Sequence, residues 1–125
     1  MDLNNLNALE LAYIGDAVYE VSIRQHLLKK GIRKVNNLQK EAKKYVSAKG
    51  QVEILNKLSE LKFLTDEELE IVKHARNYKS VSKPKNTDII TYKYATGFEA
   101  LIGYLYIKND INRLKQILDK ILEDE

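Results

Sequence analysis

The chain has 125 residues, of which 44% are hydrophobic and 31% charged, with a net charge of +3. This size predicts one domain over residues 1–125, and the absence of cysteine excludes disulfides and thiolate metal sites. Because the sequence has no secretory signal and no apolar run of about 18 residues, we expect a cytoplasmic protein without a membrane span.

The pattern of apolar residues predicts an all-α protein. Residues 6–30 are expected to form its first helix, which Gly31 ends. Apolar side chains recur every three or four residues along it, at Leu11, Ile14, Val18 and Val21. Asp16 interrupts this segment between two small residues. Glu20, one turn further on, is expected to support Asp16, although it could instead be a surface partner of Arg24.

The middle of the chain predicts two further helical regions. Residues 37–59 carry apolar residues at helical spacing, with a break expected near residues 49–50. The next helix begins at a capping box formed by residues 65–68 and continues to about Tyr78. Residues 80–86 are polar and contain the single proline, so a surface loop is expected there.

Two final helices are expected over residues 88–108 and 111–123, which gives about five to seven helices in all. The first of these two carries Glu99 among small residues three positions apart, at Gly97, Ala100 and Gly103. Small residues at this spacing allow two helix backbones to approach closely. A crossing with the first helix would then place Glu99 beside Asp16, although spacing alone cannot bring the two acids together.

A carboxylate pair of this kind has a specific chemical meaning. Two neighbouring carboxylates repel each other unless a cation lies between them or one of them takes up a proton. Magnesium commonly binds to one or two protein carboxylates and retains several waters. Asp16 and Glu99 are therefore candidate magnesium ligands. The alternative is that each acid is a solvated position on an amphipathic helix, and the matching small-residue surroundings favour the pair.

Basic residues are concentrated in two blocks of the sequence. Residues 24–49 contain nine Lys or Arg and one Glu, a net charge of +8, and residues 73–93 have a net charge of +5. Residues 51–72 between them have a net charge of −4. This segregation favours a polyanionic partner. Cations at the end of a helix, as in residues 73–79, also have a purely structural explanation, since they interact favourably with the helix dipole.

Two segments resemble a known family. LAYIGDAVYE (11–20) resembles the signature helix of ribonuclease III, and FEALIGYLY (98–106) resembles the second catalytic segment of that family. SAK (47–49), KHARNYK (73–79) and PKNTD (84–88) match the small branch called Mini-ribonuclease III, which lacks a double-stranded-RNA-binding domain. The resemblance covers nearly the whole chain and implies a single ribonuclease III-like endonuclease domain.

The resemblance also implies an activity. It is the magnesium-dependent hydrolysis of double-stranded RNA to 5′-phosphate and 3′-hydroxyl ends, with Asp16 and Glu99 as catalytic and metal-binding residues. Family members are homodimers, and relatives of the Mini branch process the 23S ribosomal RNA precursor with the help of ribosomal protein L3. By position and by resemblance, the expected RNA contacts are Lys49, Lys73, Arg76, Asn77, Lys79, Lys83, Lys85 and Asn86.

The chain departs from the long ribonucleases III at two positions. Those enzymes usually have a third and a fourth carboxylate where this chain has Ala12 and Thr96. The Mini branch shares this loss, which implies fewer direct metal bonds and more water ligands. Thr96 is then expected to support the site by holding a water. Two alternatives are a non-catalytic helical RNA-binding or ribosome-assembly protein and a plain dimerisation module, which would leave the basic blocks unexplained.

Overall fold

The computed structural model describes residues 1–79 and 88–123, and within them it contains six α-helices and no strand. The helices follow a short 3-10 helix and are α1 (Ala8–Lys29), α2 (Val35–Val46), α3 (Ala48–Glu60), α4 (Asp66–Arg76), α5 (Ile89–Ile107) and α6 (Ile111–Leu122). The all-α prediction with five to seven helices is confirmed. The predicted loop over residues 80–86 lies outside the described residues.

Helix α1 buries a different face from the one that the apolar spacing predicts. Its buried residues are Ala8, Ala12, Gly15, Tyr19, Ile23 and Leu27. The predicted stripe was partly wrong, because Leu11, Ile14 and Val18 are only half-buried and Val21 is 56% exposed. The small residues face inward here because another helix comes too close for larger side chains. Both ends of α1 follow local chemistry, since Asn7 and Glu10 form a capping box and Gly31 has a φ of +95°.

The break between α2 and α3 falls at Ser47 rather than at residues 49–50. Ser47 has extended backbone angles, ends α2 and begins α3. Its hydroxyl accepts a hydrogen bond from the amide of Gly50 at 3.1 Å. Gly50 serves packing instead of breaking the helix, because a Cβ there would lie 2.2 Å from the carbonyl oxygen of Lys44. The corner therefore brings the first turn of α3 tightly against the end of α2.

Helix α5 is the central element of the fold. It packs against α1, α3, α4 and α6, and most of its residues between Ala95 and Leu105 are buried. The core centres on Tyr19 of α1 and Phe98 of α5, whose ring centroids lie 5.0 Å apart in an edge-to-face arrangement. The phenol of Tyr19 also donates to the carbonyl of Tyr45 at 3.0 Å, which ties α2 to this core.

A buried ion pair attaches α6 to the start of α4. The Arg113 guanidinium donates to both carboxylate oxygens of Glu68, at 2.7 and 2.8 Å, and to the carbonyl of Phe63 at 2.7 Å. Burial alone would raise the pKa of Glu68, but hydrogen bonds from Arg113 and Thr65 and the charge of Arg113 hold it below its usual value. Glu68 is therefore ionised, and its buried charge is stabilised by the guanidinium of Arg113.

Replacing Arg113 with methionine should lower the free energy of unfolding by about 3 kcal/mol, because it leaves the Glu68 carboxylate buried without its partner. Urea denaturation at neutral pH measures the change. Lys115→Met is the matched control. Its ion pair with Asp119, at 2.6 Å, is exposed and should contribute less than about 1 kcal/mol. Equal losses in the two variants would contradict the assignment.

Candidate active site

Helices α1 and α5 cross at two glycines. A Cβ on Gly15 would lie 1.8 Å from the carbonyl oxygen of Glu99 and 2.7 Å from the amide nitrogen of Gly103. A Cβ on Gly103 would lie 1.9 Å from the carbonyl oxygen of Leu11. These atoms belong to backbone and cannot rotate away, so only glycine fits at either position. The crossing places Asp16, the neighbour of Gly15, beside the turn of α5 that carries Glu99.

The other small residues of α5 make different contacts. A Cβ on Gly97 would meet the carbonyl oxygen of Val72 in α4 at 2.8 Å. Ala100 packs in a small cluster with Ala8 and Ala12 of α1 and Ala75 of α4. The predicted single stripe along α5 is thus divided between two neighbouring helices, and only Gly103 belongs to the tightest part of the crossing with α1.

The side chains of Asp16 and Glu99 are neighbours. Burial, a hydrogen bond with Asp16 and the negative charge of Asp16 together raise the pKa of Glu99 from 4.5 to about 8. A hydrogen bond from Gln51 acts in the opposite direction and lowers this pKa. At neutral pH the pair therefore holds a proton in the absence of a cation, which is the expected behaviour of two carboxylates with nothing positive between them.

Gln51 is a third member of the site, and the sequence reasoning missed it. Its side chain is 2% exposed, and its Nε2 donates to Oε2 of Glu99 at 3.3 Å and to the carbonyl of Val46 at 3.2 Å. An uncharged polar residue in the first turn of a helix gives no periodicity signal. The one available sign was its place directly after the SAK segment and Gly50, where the chain makes a tight corner.

The two predicted supporting residues lie in different surroundings. The carboxylate of Glu20 pairs with Arg24 at 3.1 Å, which matches the surface alternative weighed for it. Thr96 is buried on α5, and its hydroxyl donates to the carbonyl of Tyr92 at 2.9 Å. With its proton used in this way, Thr96 can only accept a hydrogen bond from a bound water.

The predicted RNA-contact residues that the structure describes lie at the start of α3 and at the end of α4. Lys49, Lys73, Asn77 and Lys79 have exposed side chains. Arg76 is more constrained, because its guanidinium lies 5.1 Å from the ring centroid of Tyr94 and donates to the Tyr94 hydroxyl at 3.2 Å. Lys73, Arg76 and Tyr94 line one groove between α3, α4 and α5. Lys83, Lys85 and Asn86 lie outside the described residues.

The donor set at the crossing suits one hard cation. Within residues 1–79 and 88–123 there is no cluster of three or more acids, histidines or cysteines that could hold a metal. Two carboxylates alone fit magnesium, which retains waters, better than a metal that needs a complete protein cage. The high pKa of Glu99, which burial raises most and the hydrogen bond and charge of Asp16 raise further, is a further sign of fit, since a bound cation would stabilise the ionised pair.

The comparisons with known proteins agree with this geometry. The profile of the Ribonuclease III domain matches residues 9–110, which include both acids and the crossing. The chain belongs to the ribonuclease III family. It is 46% identical to Mini-ribonuclease 3 of Streptococcus pneumoniae, over 94% of this chain and 92% of that protein. It is 49% identical to Mini-ribonuclease 3 of Brevibacillus brevis, over 95% and 87% of the two chains.

A solved structure extends the likeness to the fold. The crystal structure of a Fusobacterium nucleatum protein superposes with a TM-score of 0.82 at 33% identity, covering 98% of this chain and 97% of that one. The predicted resemblance to the Mini branch is confirmed, and the chain is an endoribonuclease of the ribonuclease III type, a phosphodiester hydrolase. None of its described helices is long and apolar enough to cross a membrane.

The raised pKa of Glu99 predicts a pH-dependent stability of the metal-free protein. The Glu99 carboxyl keeps its proton up to about pH 8 in the folded chain, whereas in the unfolded chain it loses the proton near its ordinary pKa of 4.5. The free energy of unfolding therefore falls as the pH rises from 4.5 to about 8. Glu99→Gln, which cannot ionise, should therefore gain about 2 kcal/mol over wild type at about pH 8 and little at about pH 5. Denaturation in EDTA at both pH values measures this difference. An equal gain at both would contradict it.

Proposed function

We propose that the chain is a magnesium-dependent endoribonuclease that cuts double-stranded RNA and leaves 5′-phosphate and 3′-hydroxyl ends, with residues 1–125 as one catalytic domain. The observation that carries this proposal is the pair of Asp16 and Glu99 at the glycine crossing of α1 and α5. The chain's membership of the ribonuclease III family supports the same class of reaction, the hydrolysis of RNA. The magnesium dependence follows from the chemistry of two adjacent carboxylates.

Each part of the site has a role in this proposal. Asp16 and Glu99 supply the negative charge that attracts and fixes a divalent cation. When bound, magnesium would supply positive charge for activating water and for stabilising the phosphate as negative charge develops. Thr96 can accept a hydrogen bond from a water at the site. Lys49, Lys73, Arg76, Asn77 and Lys79, together with Lys83, Lys85 and Asn86, would bind phosphates along an A-form duplex, whose narrow major groove restricts base recognition.

We further propose that the enzyme acts as a homodimer, so that two sites cut the two strands. The support is an apolar surface on α1 next to the catalytic pair. Tyr13 is 84% exposed and Val21 is 56% exposed, and both lie within five residues of Asp16. Aromatic side chains are enriched at protein interfaces, and Tyr13 and Val21 lie on the same helix as Asp16.

Tyr13→Lys should weaken a dimer that uses this surface by about 100-fold in dissociation constant, because it places a charge in an apolar contact. Sedimentation velocity over a range of protein concentrations measures the shift from dimer to monomer. Lys115→Ala, on an exposed position of α6, is the control. A Tyr13→Lys protein that remains dimeric at all concentrations would place the interface elsewhere.

The natural substrate proposed for the chain is the double-stranded stem of the 23S ribosomal RNA precursor, in the cytoplasm, with ribosomal protein L3 as a helper. This substrate and this helper are what the resemblance to the Mini branch implies, and the likeness to proteins named Mini-ribonuclease 3 supports membership of that branch. The competing function is a non-catalytic RNA-binding or ribosome-assembly protein. The acid pair favours the nuclease, because binding to RNA alone needs positively charged side chains, and two adjacent carboxylates would repel the phosphates.

Purified protein incubated with a long RNA duplex and magnesium tests the proposal. We expect cleavage into short duplexes whose 5′ ends are substrates for a phosphatase, and no cleavage in EDTA. The same sequence as single-stranded RNA is the control for duplex specificity. Salt-dependent binding of the duplex without any cleavage, in magnesium or manganese, would support the non-catalytic alternative instead.

A further inference from the structure

The corner between α2 and α3 delivers one buried amide to the catalytic pair. Gly50 allows the first turn of α3 to approach the carbonyl of Lys44, and Ser47 caps that turn. The next residue is Gln51, which is almost completely buried and reaches Glu99 across the interface between α3 and α5. The close packing of this corner thus places the side-chain amide of Gln51 within hydrogen-bond distance of Glu99.

The side-chain nitrogen of Gln51, Nε2, donates two hydrogen bonds that have different roles. Nε2 of Gln51 bonds the carbonyl of Val46 at 3.2 Å, which fixes the amide to the end of α2. The same nitrogen also bonds Oε2 of Glu99 at 3.3 Å. An amide held to the backbone in this way acts as a fixed donor, and it restricts the rotamers that the Glu99 side chain can adopt.

The amide oxygen of Gln51, Oε1, indicates that the packing of its side chain does not by itself explain why glutamine occupies this position. Oε1 of Gln51 is buried and has no hydrogen-bond partner within the described part of the chain. A buried acceptor without a partner is destabilising, and methionine would fill a similar volume without that cost. The two hydrogen bonds that its Nε2 donates, and not side-chain volume alone, therefore account for glutamine at this position.

We infer that Gln51 is a positioning residue that holds the Glu99 carboxylate in the orientation needed beside Asp16. This inference rests on the proposed function, because it explains how one catalytic acid is kept in place. A neutral donor suits the task. A lysine or arginine at this position would also bond Glu99, but its positive charge would compete with the divalent cation for the carboxylate.

The test compares Gln51→Met with wild type in single-turnover cleavage of duplex RNA at increasing magnesium concentration. We expect the maximal rate to fall about 10-fold and the half-saturating magnesium concentration to rise by a similar factor. The concentration of RNA at half-maximal rate should change less than twofold, because Gln51 is buried and does not reach the RNA surface. The melting temperature should fall by about 5 °C or less, because methionine fills a similar volume but leaves the carbonyl of Val46 and the Glu99 carboxylate without this donor. Gln116→Met, at an exposed position on α6, is the matched control and should behave as wild type.

A crystal structure of metal-free Gln51→Met gives a readout that does not depend on activity. We expect the Glu99 carboxylate to leave its place beside Asp16 or to occupy more than one rotamer. An unchanged Glu99, or wild-type cleavage rates and magnesium dependence, would overturn the inference. A slow variant whose melting temperature falls by more than about 5 °C and whose Glu99 is unmoved would also overturn it, since that pattern indicates a structural role.

The two proposals can fail separately. If wild type cuts no RNA under any metal condition, the proposed function fails, and the position of Glu99 in the variant crystal structure still decides whether Gln51 orients it. If wild type cuts RNA and Gln51→Met cuts it equally well, the proposed function stands and the positioning role of Gln51 is wrong.

Discussion

Asp16→Asn should abolish cleavage of duplex RNA while the protein remains folded and still binds its substrate. The substitution keeps the shape of the side chain but removes one of the two charges that would hold a cation. Loss of this electrostatic contribution should lower the rate by about 1,000-fold or more. RNA binding should be retained, because it depends on basic residues outside the acid pair.

Single-turnover cleavage and duplex binding in calcium, measured side by side, separate the two effects. Asp119→Asn on α6 is the matched control, since Asp119 is exposed and pairs only with Lys115 in the described structure. Cleavage by the Asp16→Asn protein at a rate near that of wild type would show that the pair at α1 and α5 is not the catalytic centre. Loss of both binding and folding would instead indicate that Asp16 is needed for the structure.

The sequence contained enough information to single out the two acids as candidates, because their signal is compositional, whereas their contact depends on how α1 and α5 pack. An acid beside small residues in an apolar helical segment is unusual, and it occurs twice: Asp16 lies between Gly15 and Ala17, and Glu99 is next to Ala100. The glycines at 15 and 103 are required for the crossing by backbone contact, and small-residue spacing is a pattern that can be recognised without coordinates. Helix class and the capping box at Thr65 were predictable for the same reason, since both depend on local chemistry.

What could not be predicted depends on which residues meet across helices. Gln51 reaches Glu99 only because the chain turns at Ser47 and α3 packs against α5. The buried face of α1 differs from the predicted one because the close approach of α5 requires small residues at the contact, while large ones such as Tyr13 lie in solvent. The partner of Glu20 was open in the sequence, and the structure pairs it with Arg24.

Gly15→Ala should both destabilise the protein and abolish cleavage. The new Cβ would overlap the carbonyl oxygen of Glu99 and the amide of Gly103, so α1 and α5 must move apart. Alanine favours an isolated helix by about 1 kcal/mol over glycine, and the steric conflict should outweigh this gain and leave a net loss of about 3 kcal/mol. Separation of the helices moves Asp16 away from Glu99, which breaks the site even in molecules that remain folded.

Gly97→Ala distinguishes loss of stability from loss of site geometry. Its Cβ would conflict with Val72 of α4, so it should also lower the melting temperature, but it does not enter the crossing between α1 and α5. At a temperature where circular dichroism shows both variants folded, we expect Gly97→Ala to cut duplex RNA and Gly15→Ala to be inactive. Equal activity in the two would mean that the distance between α1 and α5 does not control the chemistry, and the close crossing would then serve packing alone.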